Sequence, residues 1–418
     1  MLRILFIDFN AYFASVEQQL DASLRGKPVV VAPVLAETSC CIAVSYEARE
    51  HGIRTGTRIS EARRLCPRLI VREARPELYV QMHHRAVAVV DSLVPVLRVM
   101  SIDEMACELT GSWRTPERAR WLAGQLRQRL HDDLGECLRV SIGIGPNILL
   151  AKQASNMHKP DGLTVITREE LPQRMLALAL RDIHGIGRRL ERRLQACGIH
   201  TVEQLYAAPR DLLRTVWGSV EGSAMYDKLR GEWHLAPEAP ARSISHSHVL
   251  PPAMRHPEAA RAVLHRLLQK AAMRLRRQGF YAQAMQVWVQ GYLGMMLPEA
   301  TTAMRDLHFQ ETRDTAALLR LLDLAWGNGL GAVSVPQQVG VLLHGLVPQQ
   351  QHTPDLFEDP GELPGITPRA RDDLLRAVDA LNQRFGRNAV YFATSHEALE
   401  HAPMRIAFSR IPDLDTEA

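Results

Sequence analysis

Three carboxylates dominate the chemistry this chain can offer: Asp8, and the adjacent pair Asp103 and Glu104. Asp8 closes the apolar run Leu5-Phe6-Ile7, which reads as a buried strand, and Phe9-Asn10-Ala11-Tyr12-Phe13 follows it. The pair lies in Ser101-Ile102-Asp103-Glu104, between the largely apolar residues 96–100 and 105–109, so it falls where one strand ends and the next begins. Carboxylates remote in sequence but gathered on one sheet can hold two Mg²⁺ ions about 3.5–4 Å apart. Such a pair activates an attacking oxygen and stabilises the leaving one during phosphoryl transfer. Mg²⁺ prefers oxygen ligands and shares its shell with substrate phosphates. The plainer reading makes Asp8 a turn cap and the pair ordinary hairpin acids, and it is the better one for either cluster alone. Together the two clusters favour the metal.

A site of that kind needs a sheet to carry it. Residues 2–7 are expected as a strand, followed by a helix from Tyr12 through Leu20, and Pro28-Val29-Val30-Val31-Ala32 reads as a second buried strand. Helical patterns cover about 77–94, 115–133 and 146–157; strands near 96–102, 105–110, 138–144 and 163–166 separate them. This mixture predicts an α+β sheet with helices packed on one face. From about 168 to 234 the chain turns helical and arginine-rich, and Pro237 and Pro240 mark a linker. A second mixed domain follows, from about 242 to 347. Its long helix near 257–278 carries Arg261, Arg266, Lys270, Arg274, Arg276 and Arg277. Beyond Pro348 lies a tail rich in Gln, Pro and Asp, then a helix opened by Thr367 and Pro368.

At 418 residues the chain is too long for one core, so several domains are expected. Its 46% hydrophobic and 23% charged residues are ordinary for a soluble protein. A net charge of +4 permits a nucleic-acid partner without demonstrating one. The cysteines (40, 41, 66, 107, 137 and 197) form no CxxC pair, which predicts neither a zinc site nor a disulfide framework and favours a reducing cytoplasm. Asp8 interrupts what would be a signal core, and no apolar stretch is long enough to span a bilayer, so no membrane role is expected.

With these motifs in view, the chain resembles the Y family of translesion DNA polymerases over nearly its whole length. The residues Asp8 to Glu17 are similar to the family's first catalytic motif, and Ser101-Ile102-Asp103-Glu104 to its second. Ser45-Tyr46-Glu47-Ala48-Arg49 and Asn156-Met157-His158-Lys159-Pro160-Asp161-Gly162 resemble its triphosphate-binding segments. The resemblance implies a right-hand polymerase of α+β class: a ferredoxin-like palm (1–10 and 76–167), small fingers (11–75) and a helical thumb with a helix-hairpin-helix (168–234). A linker (235–241), an α+β little finger (242–347) and a C-terminal tail (348–418) would follow. It also implies a template-directed DNA polymerase that copies past damaged bases with low processivity and low fidelity, using two Mg²⁺ ions.

By that resemblance Asp8, Asp103 and Glu104 are the catalytic metal ligands, helped by the carbonyl of Phe9. Asn10 stands where many members have a second aspartate, which makes it a poor ligand. Tyr12, Phe13, Tyr46, Arg49 and Lys159 would bind the incoming nucleotide. Arg49 offers a planar fork to phosphate oxygens and Lys159 a point charge. Phe13 corresponds to the position that excludes a 2′-hydroxyl; packing in the first helix is its plainer role. The small residues Ala43 and Gly56 suggest a roomy site at the templating base. Gly185, Gly187 and Arg188, in Ile183-His184-Gly185-Ile186-Gly187-Arg188, would contact DNA phosphate through backbone N–H groups, and Arg242 would grip the duplex.

Thr353-Pro354-Asp355-Leu356-Phe357 is similar to a sliding-clamp peptide, with Leu356 and Phe357 filling an apolar pocket, although Thr353 replaces the usual leading Gln. An acidic tail is the competing reading. Segments such as Leu229-Arg230-Gly231-Glu232 and Val390-Tyr391-Phe392-Ala393 look UmuC-like, implying UmuD-like and RecA-like partners, whereas Tyr46 and Arg49 look DinB-like. Primer–template DNA and deoxynucleotides are the expected partners. Two other classes compete: a catalytically silent DNA- and clamp-binding adaptor, and a nucleotide cyclase on a similar sheet. The adaptor would lack acidic ligands, and the cyclase would have no use for the arginine-rich helices.

Overall fold

The computed structural model describes residues 1–235, 242–292, 301–353, 368–385, 389–399 and 411. Contacts gather the chain into two compact units, one built on residues 1–32 and 40–235, the other mainly on residues 242–399.

In the first unit, β1 (Ile4–Phe9) is buried along its whole length. Ala11, held left-handed at φ 50° and ψ 42°, then turns the chain into α1 (Tyr12–Leu20). An L-residue pays about 1 kcal/mol for that conformation, and such strain gathers at functional turns. Next come β2 (Val29–Ala32), β3 (Ala43–Val44), α2 (Tyr46–Glu50), α3 (Ile59–Leu65) and β4 (Ile70–Glu73). The central β2 pairs antiparallel with β3 and parallel with β4 to make a small sheet. Then follow α4 (Pro76–Asp91), β5 (Val96–Ser101), β6 (Glu104–Glu108), α5 (Pro116–Leu134), β7 (Val140–Gly145), α6 (Ile148–Met157) and β8 (Leu163–Val165). They build the five-stranded sheet β5-β6-β1-β7-β8, antiparallel except for its β7–β8 edge.

Strand alternation puts Ile4, Phe6 and Asp8 on one face of β1. Ile4 and Phe6 pack there with Ala106 and with Ala151 of α6. Two glycines of β7 let α6 lie that close: a Cβ on Gly143 would come within 2.0 Å of the Ala151 carbonyl oxygen, and one on Gly145 within 2.8 Å of the Ala151 nitrogen. Beyond the sheet, α7 (Arg188–Ala196), α8 (Val202–Ala207), α9 (Arg210–Trp217) and α10 (Val220–Leu229) close around Leu194, Leu205, Leu213 and Leu229. Leu149, Leu150 and Ala154 of α6 join that core. Asn147 ties the two together, capping α6 with its side-chain oxygen while Nδ2 donates to the carbonyls of Lys228 (2.7 Å) and Glu232 (2.9 Å).

The second unit holds β9 (Ser243–Val249), α11 (Pro257–Arg277), β10 (Phe280–Tyr292), β11 (Thr301–Thr312), α12 (Thr315–Gly327), β12 (Val335–Pro348) and α13 (Pro368–Phe385). Its antiparallel sheet runs β11-β10-β12-β9, and α11 and α12 supply leucines to one core with Val287, Val289, Val339 and Val341. Leu264, Leu267, Leu268 and Leu275 of α11 are at most 3% exposed, each worth about 1.5–3 kcal/mol of burial.

The expected helices near 77–94, 115–133 and 146–157 appear as α4, α5 and α6, and the expected strands as β1, β2 and β5 to β8. The short β3 and β4 are additional. The basic residues of α11 behave differently from a solvated face. Arg266 and Lys270 are buried, Arg276 forms a bidentate pair with Asp379 of α13 (both contacts 2.7 Å), and Arg261 binds Asp323. Arg313 holds Asp372 in the same bidentate way, so α13 is docked on this unit.

Candidate active site

The register of β1 against β6 decides where the acids meet. Asp8 lies directly opposite Glu104, and the Phe9 N–H donates to the Asp103 carbonyl at 2.9 Å. Ser101 and Glu104 pair at the end of the β5–β6 hairpin, leaving Ile102 and Asp103 as its two-residue turn. Ile102 is buried, and the buried ring of His83 hydrogen-bonds its carbonyl at 2.8 Å. The Ser101 hydroxyl donates to Asp103 Oδ1 at 2.5 Å, which fixes that carboxylate.

Two lysines offset part of the acids' charge. Lys152 of α6 is buried, and its Nζ reaches Asp8 Oδ2 and Glu104 Oε1, each at 2.5 Å. Lys159 Nζ lies 2.7 Å from Asp8 Oδ1. Burial opposes the charge on Lys152, but Asp8 and Glu104 more than offset it and hold its pKa above the ordinary lysine value. Burial pushes the Asp103 carboxyl up to about 6; Asp8 and Glu104 add to that push, and the Ser101 hydroxyl opposes it.

A cavity of about 210 Å³ opens at this point, lined by Asp8, Phe9, Asn10, Tyr12, Phe13, Tyr46, Arg49, Asp103, Glu104 and Lys159, as well as Lys152 and Ala43. Every residue expected to hold metal or nucleotide is therefore gathered in one place. Phe13 is 5% exposed and stacks on Tyr79, with centroids 4.6 Å apart and planes 17° from parallel. The Tyr12 hydroxyl donates to the Tyr79 carbonyl at 2.8 Å. Arg49 stacks over the Tyr46 ring at 4.5 Å while its Nε donates to the Val44 carbonyl. Two buried polar atoms on the lining residues, the Tyr46 hydroxyl and Asn10 Nδ2, have no hydrogen-bond partner of good geometry among the described residues. Asn10 Oδ1 accepts from the Ser141 hydroxyl at 2.9 Å.

The donors facing the cavity are all oxygens, the set that suits Mg²⁺, Mn²⁺ or Ca²⁺ rather than softer metals. Among the described residues, no group of three or more His, Cys, Asp or Glu side chains is placed to hold a metal ion between them. A Mg²⁺-type ion takes one or two protein carboxylates and completes its shell with water and substrate phosphate. Such an ion also requires Lys152 to share or yield the space between Asp8 and Glu104. Sequence reasoning missed Lys152. Its signal is the lone cation in Ile148-Leu149-Leu150-Ala151-Lys152, an otherwise apolar helix start.

The remaining expected contacts lie outside the cavity. Gly185 has a positive φ of 92°, Gly187 precedes α7 as its N-cap, and Arg188 begins that helix, exposed. The hairpin is entered from a single 3₁₀ turn, Leu180–Asp182, rather than a full helix. Arg242 is exposed, one residue before β9 in the second unit. Leu356 and Phe357 fall outside the described residues. No described helix is long and apolar enough to cross a membrane.

Comparison with known proteins identifies the family. Residues 7–156 match the impB/mucB/samB family and residues 241–356 match that family's C-terminal domain. DNA polymerase IV of Moorella thermoacetica is 34% identical over 94% of this chain and 96% of its own length. DNA polymerase IV of Pelotomaculum thermopropionicum is 30% identical over 94% and 95%, and DNA polymerase IV 1 of Bacillus subtilis 33% over 69% and 70%. Among solved structures, a Y-family DNA polymerase chimera superposes with a TM-score of 0.66 at 23% identity, covering 83% of this chain and all of that one. DinB from Sulfolobus solfataricus gives a TM-score of 0.53, also at 23% identity, over 82% and 98%. These neighbours share its fold, the α+β right hand of a polymerase. The chain belongs to the Y family of DNA polymerases, the translesion enzymes, in its DinB-like branch.

Proposed function

We propose that the cavity between Asp8, Asp103 and Glu104 is where a primer 3′-hydroxyl is joined to an incoming deoxynucleotide opposite a template base, releasing pyrophosphate. The observation that carries this reading is the convergence of Asp8 and the remote Asp103-Glu104 pair with Tyr46, Arg49 and Lys159 around one opening. Two Mg²⁺ ions held by Asp8, Asp103, Glu104 and the Phe9 carbonyl would supply charge neutralisation and activation of the attacking oxygen. The protein's own part is positioning. Arg49 and Lys159 would hold the triphosphate, and the Tyr46 hydroxyl and Asn10 Nδ2, without a hydrogen-bond partner among the described residues, would donate to it. Phe13 would face the sugar, and Tyr12 would shape the wall behind it. The segments 1–10 with 76–167, 11–75, 168–234 and 242–347 would serve as palm, fingers, thumb and little finger. Gly185, Gly187, Arg188 and Arg242 would touch DNA backbone, a grip that weakens with salt and limits processivity.

Primer–template DNA and deoxynucleotides are the partners this reading requires. A sliding clamp would meet the Thr353-to-Phe357 peptide, while UmuD-like and RecA-like partners rest on the UmuC-like segments alone. The deciding experiment is primer extension on a matched template. The chain should extend the primer with Mg²⁺ and stop when EDTA is added, and a wild-type chain that adds no nucleotide under any divalent ion refutes the reading. Within that assay, Tyr46→Phe should raise the KM for deoxynucleotide about three- to tenfold with little change in kcat, as expected for one lost hydrogen bond. An unchanged KM would remove Tyr46 from the triphosphate site.

A further inference from the structure

One deeply buried ionisable group has no part in the chemistry above. Glu17 is 0% exposed and sits one turn after Phe13 on α1. Residues four apart share a helix face, so the Phe13 ring and the Glu17 carboxylate project side by side. Tyr79, in the first turn of α4, spans both. Its ring stacks on Phe13 with centroids 4.6 Å apart, and its hydroxyl donates to Glu17 Oε1 at 2.7 Å. Arg75 holds the carboxylate in a fork, with Nε to Oε1 at 3.0 Å and Nη2 to Oε2 at 2.5 Å. The Tyr12 hydroxyl meanwhile donates to the Tyr79 backbone carbonyl. Tyr12 and Phe13 of the first motif are thus both fastened to Tyr79.

We propose that Glu17 and Tyr79 are positioning residues for sugar selection, fixing the Phe13 ring so that it cannot yield to a 2′-hydroxyl. The inference rests on the reading of Phe13 as the sugar-facing residue and extends it. A steric filter rejects a substrate only as far as its wall resists displacement. A phenyl ring with a second rotamer available would swing aside, so its neighbours must lock it. Here the Tyr79 ring blocks Phe13, the Tyr79 hydroxyl is pinned by Glu17, and Glu17 is pinned by Arg75. Hydrogen bonds to a carboxylate are the short, strong kind suited to that task. Burial and the Glu17 charge keep the Tyr79 phenol protonated, so the donor is always present.

The test is single-nucleotide insertion by the full chain, comparing a deoxynucleotide with the ribonucleotide of the same base. The variants are Tyr79→Phe, Glu17→Gln, Phe13→Ala and the double variant Phe13→Ala with Tyr79→Phe. Tyr79→Phe keeps the ring and removes only the pin, so it should fold. It should lower deoxy-over-ribo selectivity about tenfold, within the range that pocket shape commands, while deoxynucleotide kcat/KM changes less than about threefold. Glu17→Gln should move selectivity in the same direction. In the Phe13→Ala background, Tyr79→Phe should have no further effect, because contacting residues acting through one another are non-additive. Wild-type selectivity in Tyr79→Phe, or an equal loss in both backgrounds, overturns the proposal. A wild-type chain that inserts no deoxynucleotide instead refutes the polymerase reading, and unaltered selectivity in Phe13→Ala refutes the sugar-facing role.

Discussion

Replacing Asp103 with alanine should lower nucleotide incorporation at least about a thousandfold, roughly 4 kcal/mol of lost transition-state stabilisation, and leave the protein folded. Asp103 is a clean target because of how it is held. The Phe9 N–H bonds its backbone carbonyl, which alanine keeps, so the hairpin remains closed. Only the Ser101 hydroxyl loses an acceptor. The sign of the stability change follows from the carboxyl's raised pKa of about 6, caused first by burial and then by Asp8 and Glu104. A folded-state pKa above the unfolded value means that stability is lost as pH rises from the ordinary carboxylate value of 3.8 to about 6, and the full penalty is present above that. At pH 7.5, without divalent ions, Asp103→Ala should therefore melt no lower than wild type. Asp8→Ala is a poorer test, because it strips Lys152 and Lys159 of a shared partner, and breaking a buried pair costs about 3–5 kcal/mol. Incorporation by Asp103→Ala within tenfold of wild type would remove the carboxylate from the chemistry.

Much of the site was legible because its signals are local. Asp8 at the end of an apolar run and Asp103-Glu104 between two apolar stretches mark strand ends whatever the tertiary structure. The register that sets Asp8 opposite Glu104 then follows from pairing the two runs. What could not be read is compensation over distance. Lys152 looks like an ordinary helical lysine until the fold brings Asp8, 144 residues away, and Glu104, 48 away, to its Nζ. Glu17 reads as a polar residue on α1, yet its partners Arg75 and Tyr79 lie 58 and 62 residues downstream. The arginines of α11 gave no sign of their partners for the same reason. Arg276 is neutralised by Asp379, 103 residues on, and no periodicity encodes that meeting. The strands β3 and β4, two and four residues long, are too short for alternation to register.

Phe13→Ala tests the reading most sharply, because its two effects separate. Truncating the ring removes its stack on Tyr79 and much of its buried area. In a closed core that change costs about 3–5 kcal/mol, less here because the ring borders a cavity. Thermal melting should therefore fall by several degrees. Selectivity is a ratio of two substrates on one folded protein, so loss of stability cancels from it. If the ring faces the sugar, ribonucleotide insertion should rise until deoxy-over-ribo selectivity drops about a hundredfold, with deoxynucleotide insertion reduced far less. If Phe13 only packs α1 against α4, both substrates should suffer alike and the ratio should hold. A lowered melting temperature with wild-type selectivity would thus leave Phe13 as core, and with it would go the assignment of this wall of the cavity to the sugar.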